Sequence, residues 1–548
     1  MGTDSRKNAS GTGRTTGTVP GNEDERRGRH GEIRGALGSV PHGAGPRRGL
    51  AARLRTLVAV VGPGLIVMVG DNDAGAFGTY TQAGQDYGTR LLWTLLLLVP
   101  VLFVNQEMVL RLGAVTGSGY ARLVRERFGR LWAASSVLDL VLVNALTVVT
   151  EFVGISMGLE YLGIPRLPGV LVAAAVVAGA ASTGSFRRFE RLCLVLVAGS
   201  LLLVPLVLLA HPPLAALGHD FAVPGLPGGA DPSEVLLLVI AIVGTTVAPW
   251  QLFFQQSYVV DKRITPEFVR YEKVDLWLGI VIAVLGAAAM MAFTASAFAG
   301  DPAAGHFTDT AGVARGLGAR VGRTAGVLFA VALVDASVIG AAAVSLSTAY
   351  AVGDLTGGEH SLDRSPREAK GFHAVLAGLL AVSAAVVVLP GSPLGLITEG
   401  VQTLAGVLLP SASVFLLLLC NDRQVLGPWA NGRAHNVLTT AVIAVLMMLS
   451  VVLTASVVEP DLTAGQIAGF LGTGAVLALL GGTALLVARR PGPRPDRALR
   501  REWRTPPLEE LPRPRLSPTR RAGLTALRGY VLVAVAVVIA RMTQAALA

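Results

Sequence analysis

Two carboxylates and one amide stand together inside an apolar stretch, at Gly70-Asp71-Asn72-Asp73-Ala74-Gly75, and a second apolar stretch is interrupted at Gly244-Thr245-Thr246-Val247-Ala248-Pro249. An acidic side chain near the middle of a bilayer costs roughly 2.5–3.5 kcal/mol on insertion scales, so two of them need a compensating partner. A cation is such a partner. The glycines weaken the first helix and Pro249 withholds a donor from the second, so both breaks are expected to free backbone carbonyls at membrane depth. Carbonyls beside a carboxylate make the oxygen-rich surroundings that suit hard divalent ions such as Mg2+, Mn2+ and Ca2+. Neither break contains a thiolate, a thioether or an imidazole. Asp71 and Asp73 are two residues apart and do not form a side-by-side pair in helical or extended backbone. One is expected to hold the ion while the other lines a vestibule or caps a half-helix, and for Asp71 capping is as good a reading as ligation.

The elements that must carry these breaks are membrane helices. The chain has 548 residues, 52% hydrophobic and 15% charged, with a mean hydropathy of +0.59. Apolar windows of about 20 residues predict spans near 56–86, 91–110, 132–160, 167–184, 192–210, 234–259, 274–299, 323–352, 373–390, 395–419, 436–457 and 465–488, with a thirteenth near 527–546. The segments after even-numbered spans are basic, among them Arg111 to Arg130, Arg187-Arg188, Lys262 to Lys273 and Arg364 to Lys370. The positive-inside rule therefore predicts a cytoplasmic N-terminus in the plasma membrane. The net charge of +10 lies mainly in tails and these loops, which speaks for orientation in a lipid bilayer and not for nucleic acid.

Residues 1–50 read as a disordered basic leader with neither the hydrophobic core nor the Ala-x-Ala site of a signal peptide. Residues 51–212 and 233–420 read as two five-helix units. An odd number of helices per unit gives them opposite topologies, and each break falls in the first helix of its unit, the pattern of inverted-repeat transporters. Residues 434–488 form two further helices, 489–523 an Arg/Pro-rich cytoplasmic linker and 524–548 an extra span. Cys193 and Cys420 offer neither a disulfide framework nor a cysteine metal site.

The run Gly62-Pro63-Gly64 through Asp73-Ala74-Gly75-Ala76-Phe77-Gly78-Thr79 resembles the first helix of the Nramp (natural resistance-associated macrophage protein) family of divalent metal transporters, which has Asp-Pro-Gly-Asn there. Arg111-Leu112-Gly113-Ala114-Val115-Thr116-Gly117, Glu151 with Gly154, the Gly244 to Pro249 break, and Gln402 eight residues before Pro410 extend the likeness over roughly residues 55 to 420. The resemblance implies an all-α, LeuT-like 5+5 core with discontinuous helices 1 and 6. It also implies a metal site of Asp73, the backbone carbonyls of Gly70 and Thr245, and Gln402. The departures are informative. The family's asparagine is Ala76, its metal-binding methionine is Ala248, the histidine of its Met-Pro-His motif is Trp250, and a third-helix aspartate of its proton route is Val148, although Glu151 follows one turn later. Methionine favours transition metals, so its loss removes selectivity against hard ions. This pattern resembles the Nramp-related magnesium transporters, whose first helix is similar to Asp71-Asn72-Asp73-Ala74.

The expected substrate is Mg2+, with Mn2+ second, carried by alternating access. All eight histidines fall in tails, loops or span ends, so a histidine shuttle beside the metal and proton coupling are not expected. No cofactor is expected beyond the transported ion, no enzyme activity, and no partner chain, so the chain reads as a monomer. Gly-x-x-x-x-Gly-Lys-Ser/Thr is absent, which argues against ATP-driven transport by this chain. Gln251, Gln255 and Gln256 are candidates for hydrogen-bonding ion-bound water, with helix packing an equal alternative. Glu151 lines the inner path or makes a helix–helix hydrogen bond, and Trp250 fills space left by smaller neighbours. Glu107 is expected to be interfacial. Asp335 and Glu399 are weaker candidates, and Asp301, Asp309, Glu459 and Asp461 are expected to be solvated external acids. Rival readings are a proton-coupled Mn2+/Fe2+ importer, a Na+-coupled small-solute transporter and a non-transporting metal sensor.

Overall fold

A computed structural model of the chain describes residues 31–43, 49–390, 394–459, 462–488, 500, 503–512, 514 and 517–547. Every predicted span corresponds to a helix or to a broken pair of helices. The first span is three pieces, α1 (Leu50–Val60), α2 (Pro63–Val69) and α3 (Ala74–Tyr87), with a 52° bend between α1 and α2. There follow α4 (Trp93–Thr116), the short α5 (Tyr120–Phe128), α6 (Arg130–Tyr161), α7 (Arg166–Ala181), α8 (Phe186–Gly199) continued by α9 (Leu203–Ala210), and the short α10 (Leu214–Ala222). The sixth span is again split, into α11 (Pro232–Thr246) and α12 (Pro249–Asp261). Beyond it lie α13 (Val269–Ala297), α14 (Thr310–Arg320), α15 (Arg323–Thr356), α16 (Lys370–Val388), α17 (Leu394–Cys420), α18 (Arg423–Leu426), α19 (Arg433–Val458), α20 (Ala464–Ala488) and α21 (Pro518–Leu547).

The packing has the symmetry that an inverted five-helix repeat requires. Moving every span forward by five positions turns the contact of span 1 with span 7 into that of span 6 with span 2. Both contacts are present, as α2 and α3 on α13 and as α12 on α4. The contacts of α6 with α15 and of α4 with α13 map onto themselves. The central helices α4, α11–α12 and α17 are mostly buried, whereas α8–α9, α19 and α21 present leucine and valine faces outward, as helices next to lipid do.

Part of the leader departs from the expected disorder. Residues 32–41 form a hairpin in which β1 (Glu32–Gly35) pairs antiparallel with β2 (Gly38–Pro41), Ile33 opposite Val40. A two-stranded hairpin is not stable alone; this one is fastened at its tip to α8, where Ala36 N–H donates to Glu190 Oε2 (2.5 Å) and Arg187 Nε to the Gly35 carbonyl (3.0 Å). Ile33 is fully buried. Residues 1–30 of the leader lie outside the described residues, as does Asp461. The linker after α20 is docked where it is described: Trp503 and Thr505 donate to the Val425 carbonyl, and the Pro512 carbonyl accepts from Arg127.

Candidate functional site

Asp73 ends the extended step between α2 and α3. Its carboxylate, and not that of Asp71, is the helix cap: Asp73 Oδ1 accepts from Ala76 N–H at 3.0 Å. The free N–H groups and the dipole at the start of α3 favour a negative charge there. Asp71, for which capping and ligation were equal expectations, is buried with Oδ1 lacking a hydrogen-bond partner, and its side-chain neighbour is Gln251.

The two expected carbonyl donors have both lost their helical partners, for different reasons. The N–H four residues after Gly70 belongs to Ala74, and it donates to Glu151 Oε2 at 3.2 Å. The residue four after Thr245 is Pro249, which has no N–H. Val247 and Ala248 run extended between α11 and α12, and Pro249 opens the new helix where its missing donor costs nothing.

Three helices meet in front of Gly75. A methyl group placed on Gly75 would lie 3.4 Å from Asp73 Oδ1, 3.7 Å from Thr245 Oγ1 and 3.8 Å from Gln402 Nε2, so the side chains from α3, α11 and α17 surround one small volume. Gln402 is held there by a pair of hydrogen bonds: its Nε2 donates to the Gly75 carbonyl (3.4 Å) and its Oε1 accepts from Thr79 Oγ1 (3.2 Å). Ala76 and Ala248, both buried, add no further polar atom. Among the described residues no cluster of three or more His, Cys, Asp or Glu side chains has metal-binding geometry, so the donors here are one carboxylate, a hydroxyl, an amide and backbone carbonyls.

Glu151 on α6 reaches the same place from behind. It is fully buried, with Oε1 unpartnered. A methyl on Gly340 of α15 would fall 2.7 Å from Glu151 Oε2 and 3.0 Å from Asp73 Cβ, so glycine at 340 is what lets the two acids approach. Gly340 had no place in the sequence reading, and Gly75 and Thr79 entered it only as a helix-weakening glycine and as members of the motif run, not as site residues. Gly75 and Thr79 lie in the motif-bearing run itself, one helical turn apart, which is a usable signal; nothing local marks Gly340.

Other expected site residues do different work. Asn72 turns away and donates to the Ala283 carbonyl on α13 at 3.0 Å, so it is a helix tie. Trp250 is buried against Phe254 and its carbonyl accepts from Ser347 Oγ, which is the space-filling role. Gln251 accepts from Gln106 Nε2 (3.1 Å) and leans on the Thr246 carbonyl (3.4 Å). Gln256 Nε2 donates to the Ser118 carbonyl, while both polar atoms of Gln255 are buried without a partner. Glu107 is not interfacial: it is buried and paired with Lys273 (2.8 Å), Arg111 (3.1 Å) and His435 (3.5 Å). Asp335 faces Gly199 on α8, away from the break, and the side chain of Glu399 lies outside the described residues. Of the acids expected to be external and solvated, Asp301 pairs with Arg320 and Asp309 caps α14.

Comparison with known proteins agrees with this architecture. Residues 64–456 match the family described as Natural resistance-associated macrophage protein-like. A divalent metal cation transporter MntH of Deinococcus radiodurans is 30% identical over 430 residues, covering 74% of this chain and 91% of that protein. One of Ralstonia nicotianae is 30% identical over 416 residues, 72% of this chain and 89% of that protein. A crystal structure of the Eremococcus coleocola manganese transporter superposes with a TM-score of 0.63 at 20% identity, over 83% of this chain and 97% of that one. The broken spans 1 and 6, the five-plus-five packing and the matched length together make this chain a multi-pass membrane protein of the Nramp family.

Proposed function

We propose that the chain imports divalent metal ions across the plasma membrane, Mg2+ first and Mn2+ second, by alternating access and without proton coupling. The names of its relatives support the divalent-metal class. The observation that carries the choice of ion is the convergence on Gly75 of one carboxylate, one hydroxyl and the Gln402 amide, with no sulfur or imidazole and with Ala76 and Ala248 where family resemblance implies asparagine and methionine. Mg2+ dehydrates reluctantly and is commonly held by one or two carboxylates with several waters retained. Asp73 supplies the charge; the Thr245 hydroxyl and the carbonyls freed at Gly70 and Thr245 supply neutral oxygen, and Gln402 joins them once its Oε1 is released from Thr79. Two alanines leave room for water that a methionine side chain would displace. A divalent ion gains about 4.6 kcal/mol per 100 mV of inside-negative potential, from roughly 2.3 per charge, enough for about a thousandfold accumulation without a second driving ion. Movement of the two repeats about the fixed site then exposes it first outside and next to the cytoplasm, where the N-terminus lies by the positive-inside argument.

One observation favours a second reading. Glu151 stands directly behind Asp73 with a buried, unpartnered oxygen, which is where a proton linked to metal binding would sit. Uptake of Mg2+, Mn2+ and Ca2+ into proteoliposomes, with and without a pH gradient, tests substrate and coupling together. Uptake driven by potential alone supports the uniporter; uptake that acidifies a pyranine-loaded lumen supports the coupled importer.

A further inference from the structure

The hairpin of residues 32–41 rests on three elements from different parts of the fold. Two of them hold it by hydrogen bonds. On α8, besides the bonds from Ala36 N–H to Glu190 and from Arg187 to the Gly35 carbonyl, Arg191 Nε donates to the Ala36 carbonyl at 3.3 Å. On the loop between α12 and α13, His42 Nε2 donates to the Arg263 carbonyl (3.0 Å) and Gly43 N–H donates to Glu267 Oε2 (3.2 Å). The helix α8 belongs to the first five-helix repeat and the 263–267 loop to the second, so the hairpin and its first following residues bridge the two. Both segments are basic, and the positive-inside argument places them in the cytoplasm. The hairpin precedes residue 64, where the family match begins.

The third element is α1, against which the ribbon is closely packed. A methyl on Gly35 would collide with the Ala59 carbonyl oxygen, and one on Gly38 would lie 3.5 Å from Ala59 Cβ. Glycine at these two strand positions is what lets the ribbon lie on the helix. Of the eleven residues of α1 only Thr56, Ala59 and Val60 are buried. Beyond it the chain passes through Gly62, whose φ of +152° suits glycine, and turns by 52° into α2. The far end of α1 is held by Lys262, which donates to the Val60 and Val61 carbonyls and to Glu190 Oε1. Glu190 thus ties the tip of the hairpin to the lysine that holds the end of α1.

We propose that the hairpin is a cytoplasmic clamp on α1: fixed to α8 and to the 263–267 loop, it blocks the pivot of α1 about Gly62, and its separation from α1 sets the rate at which the central site opens to the inside. The lightly buried α1 is joined through the seven residues of α2 to the break that carries Asp73, so a pivot at Gly62 acts directly on the inner side of that site. Ties that cross between the repeats over such a hinge restrain opening, whereas a leader that merely followed the surface would leave it free. The inference rests on the alternating-access reading above and adds what governs its inner step.

The test is a reversible lock in the full chain, read as Mg2+ and Mn2+ flux into proteoliposomes. Gly38→Cys combined with Ala59→Cys places two thiols on carbons 3.5 Å apart, a separation that a disulfide spans. Reduced, this variant is expected to transport within about twofold of the unsubstituted chain; oxidised with copper phenanthroline, it is expected to lose at least about tenfold in rate and to recover with dithiothreitol. Each single-cysteine variant, oxidised alike, is expected to keep its flux. Gly35→Leu pushes the ribbon off the Ala59 carbonyl and is expected to raise the maximal rate about threefold with the external KM within about twofold, which keeps the proposal testable should the cysteine pair fail to fold. Equal flux of the pair before and after oxidation, loss of flux in a single-cysteine variant, or a Gly35→Leu chain slower than the unsubstituted one would overturn the clamp and leave the hairpin as a structural cover. An unsubstituted chain that carries neither ion overturns the transport reading and the clamp with it, so the two failures are told apart.

Discussion

The first span breaks twice, and the two breaks are opposites. At the kink between α1 and α2, charged side chains take up the freed backbone. Lys262 Nζ donates to the carbonyls of Val60 (2.7 Å) and Val61 (2.8 Å) and to Glu190 Oε1 (2.7 Å), while Asp275 accepts from Gly62 N–H (3.2 Å) and Gly64 N–H (2.7 Å). Lys262, Glu190 and Asp275 are all buried there, and Glu272 beside them is the one acid without a donor. At the central break, acceptors are in surplus. The Gly70 and Thr245 carbonyls have lost their helical donors, and oxygens of Asp71 and Glu151 are buried and unpaired. Both breaks are written in glycine and proline. The difference is that the fold supplies its own cation, Lys262, at the kink, whereas the central break is proposed above to take its cation from outside the chain.

Breaking the kink is expected to have the largest effect. Lys262→Met removes the buried cation that pairs with Glu190 beside Asp275 and Glu272 and should destabilise the protein by about 3–5 kcal/mol, seen as a lower unfolding temperature in detergent that added Mg2+ does not restore selectively. Asp73→Ala acts mainly on function: it should reduce metal flux by at least about a hundredfold, or ~2.7 kcal/mol, while loss of the α3 cap costs only about 1 kcal/mol of stability, less than the kink variant. If Lys262→Met proves harmless, the kink is not the self-satisfied hinge described above. Ala248→Met sharpens the central site by restoring a soft ligand and should move the Mn2+ over Mg2+ preference about tenfold toward Mn2+, read from competition uptake. The smallest effect expected is that of Thr79→Val, which frees Gln402 Oε1; metal KM should change by about threefold, consistent with one neutral hydrogen bond.

The membrane helices were legible because a bilayer demands length and apolarity, both local properties of a sequence. The breaks were legible because glycine and proline act on their own backbone. Asp73 was legible as a carboxylate with no local apolar excuse. Capping was not, because whether Asp71 or Asp73 starts α3 depends on Ala74 N–H being drawn to Glu151, a residue 77 positions away. Gly340 was silent for the same reason: its value lies in what α6 and α3 bring to it. The hairpin at residues 32–41 had a faint signal in Glu-Ile-Arg-Gly and Gly-Ser-Val-Pro separated by two residues, but a ribbon that short is held by α8, and sequence offers no view of that contact. Glu107 looked interfacial from its place near a span end; its two cationic partners, Arg111 and Lys273, come from α4 and α13, and His435 of α19 lies beside them.

The central claim is that a single-carboxylate, oxygen-lined break carries a hard divalent ion driven by membrane potential. Its most direct test is initial-rate Mg2+ uptake into pyranine-loaded proteoliposomes under an imposed inside-negative potential, with no pH gradient. The account predicts Mg2+ uptake that rises with the potential and leaves the lumen at constant pH. Absence of Mg2+ uptake, or acidification in step with the metal, would contradict it.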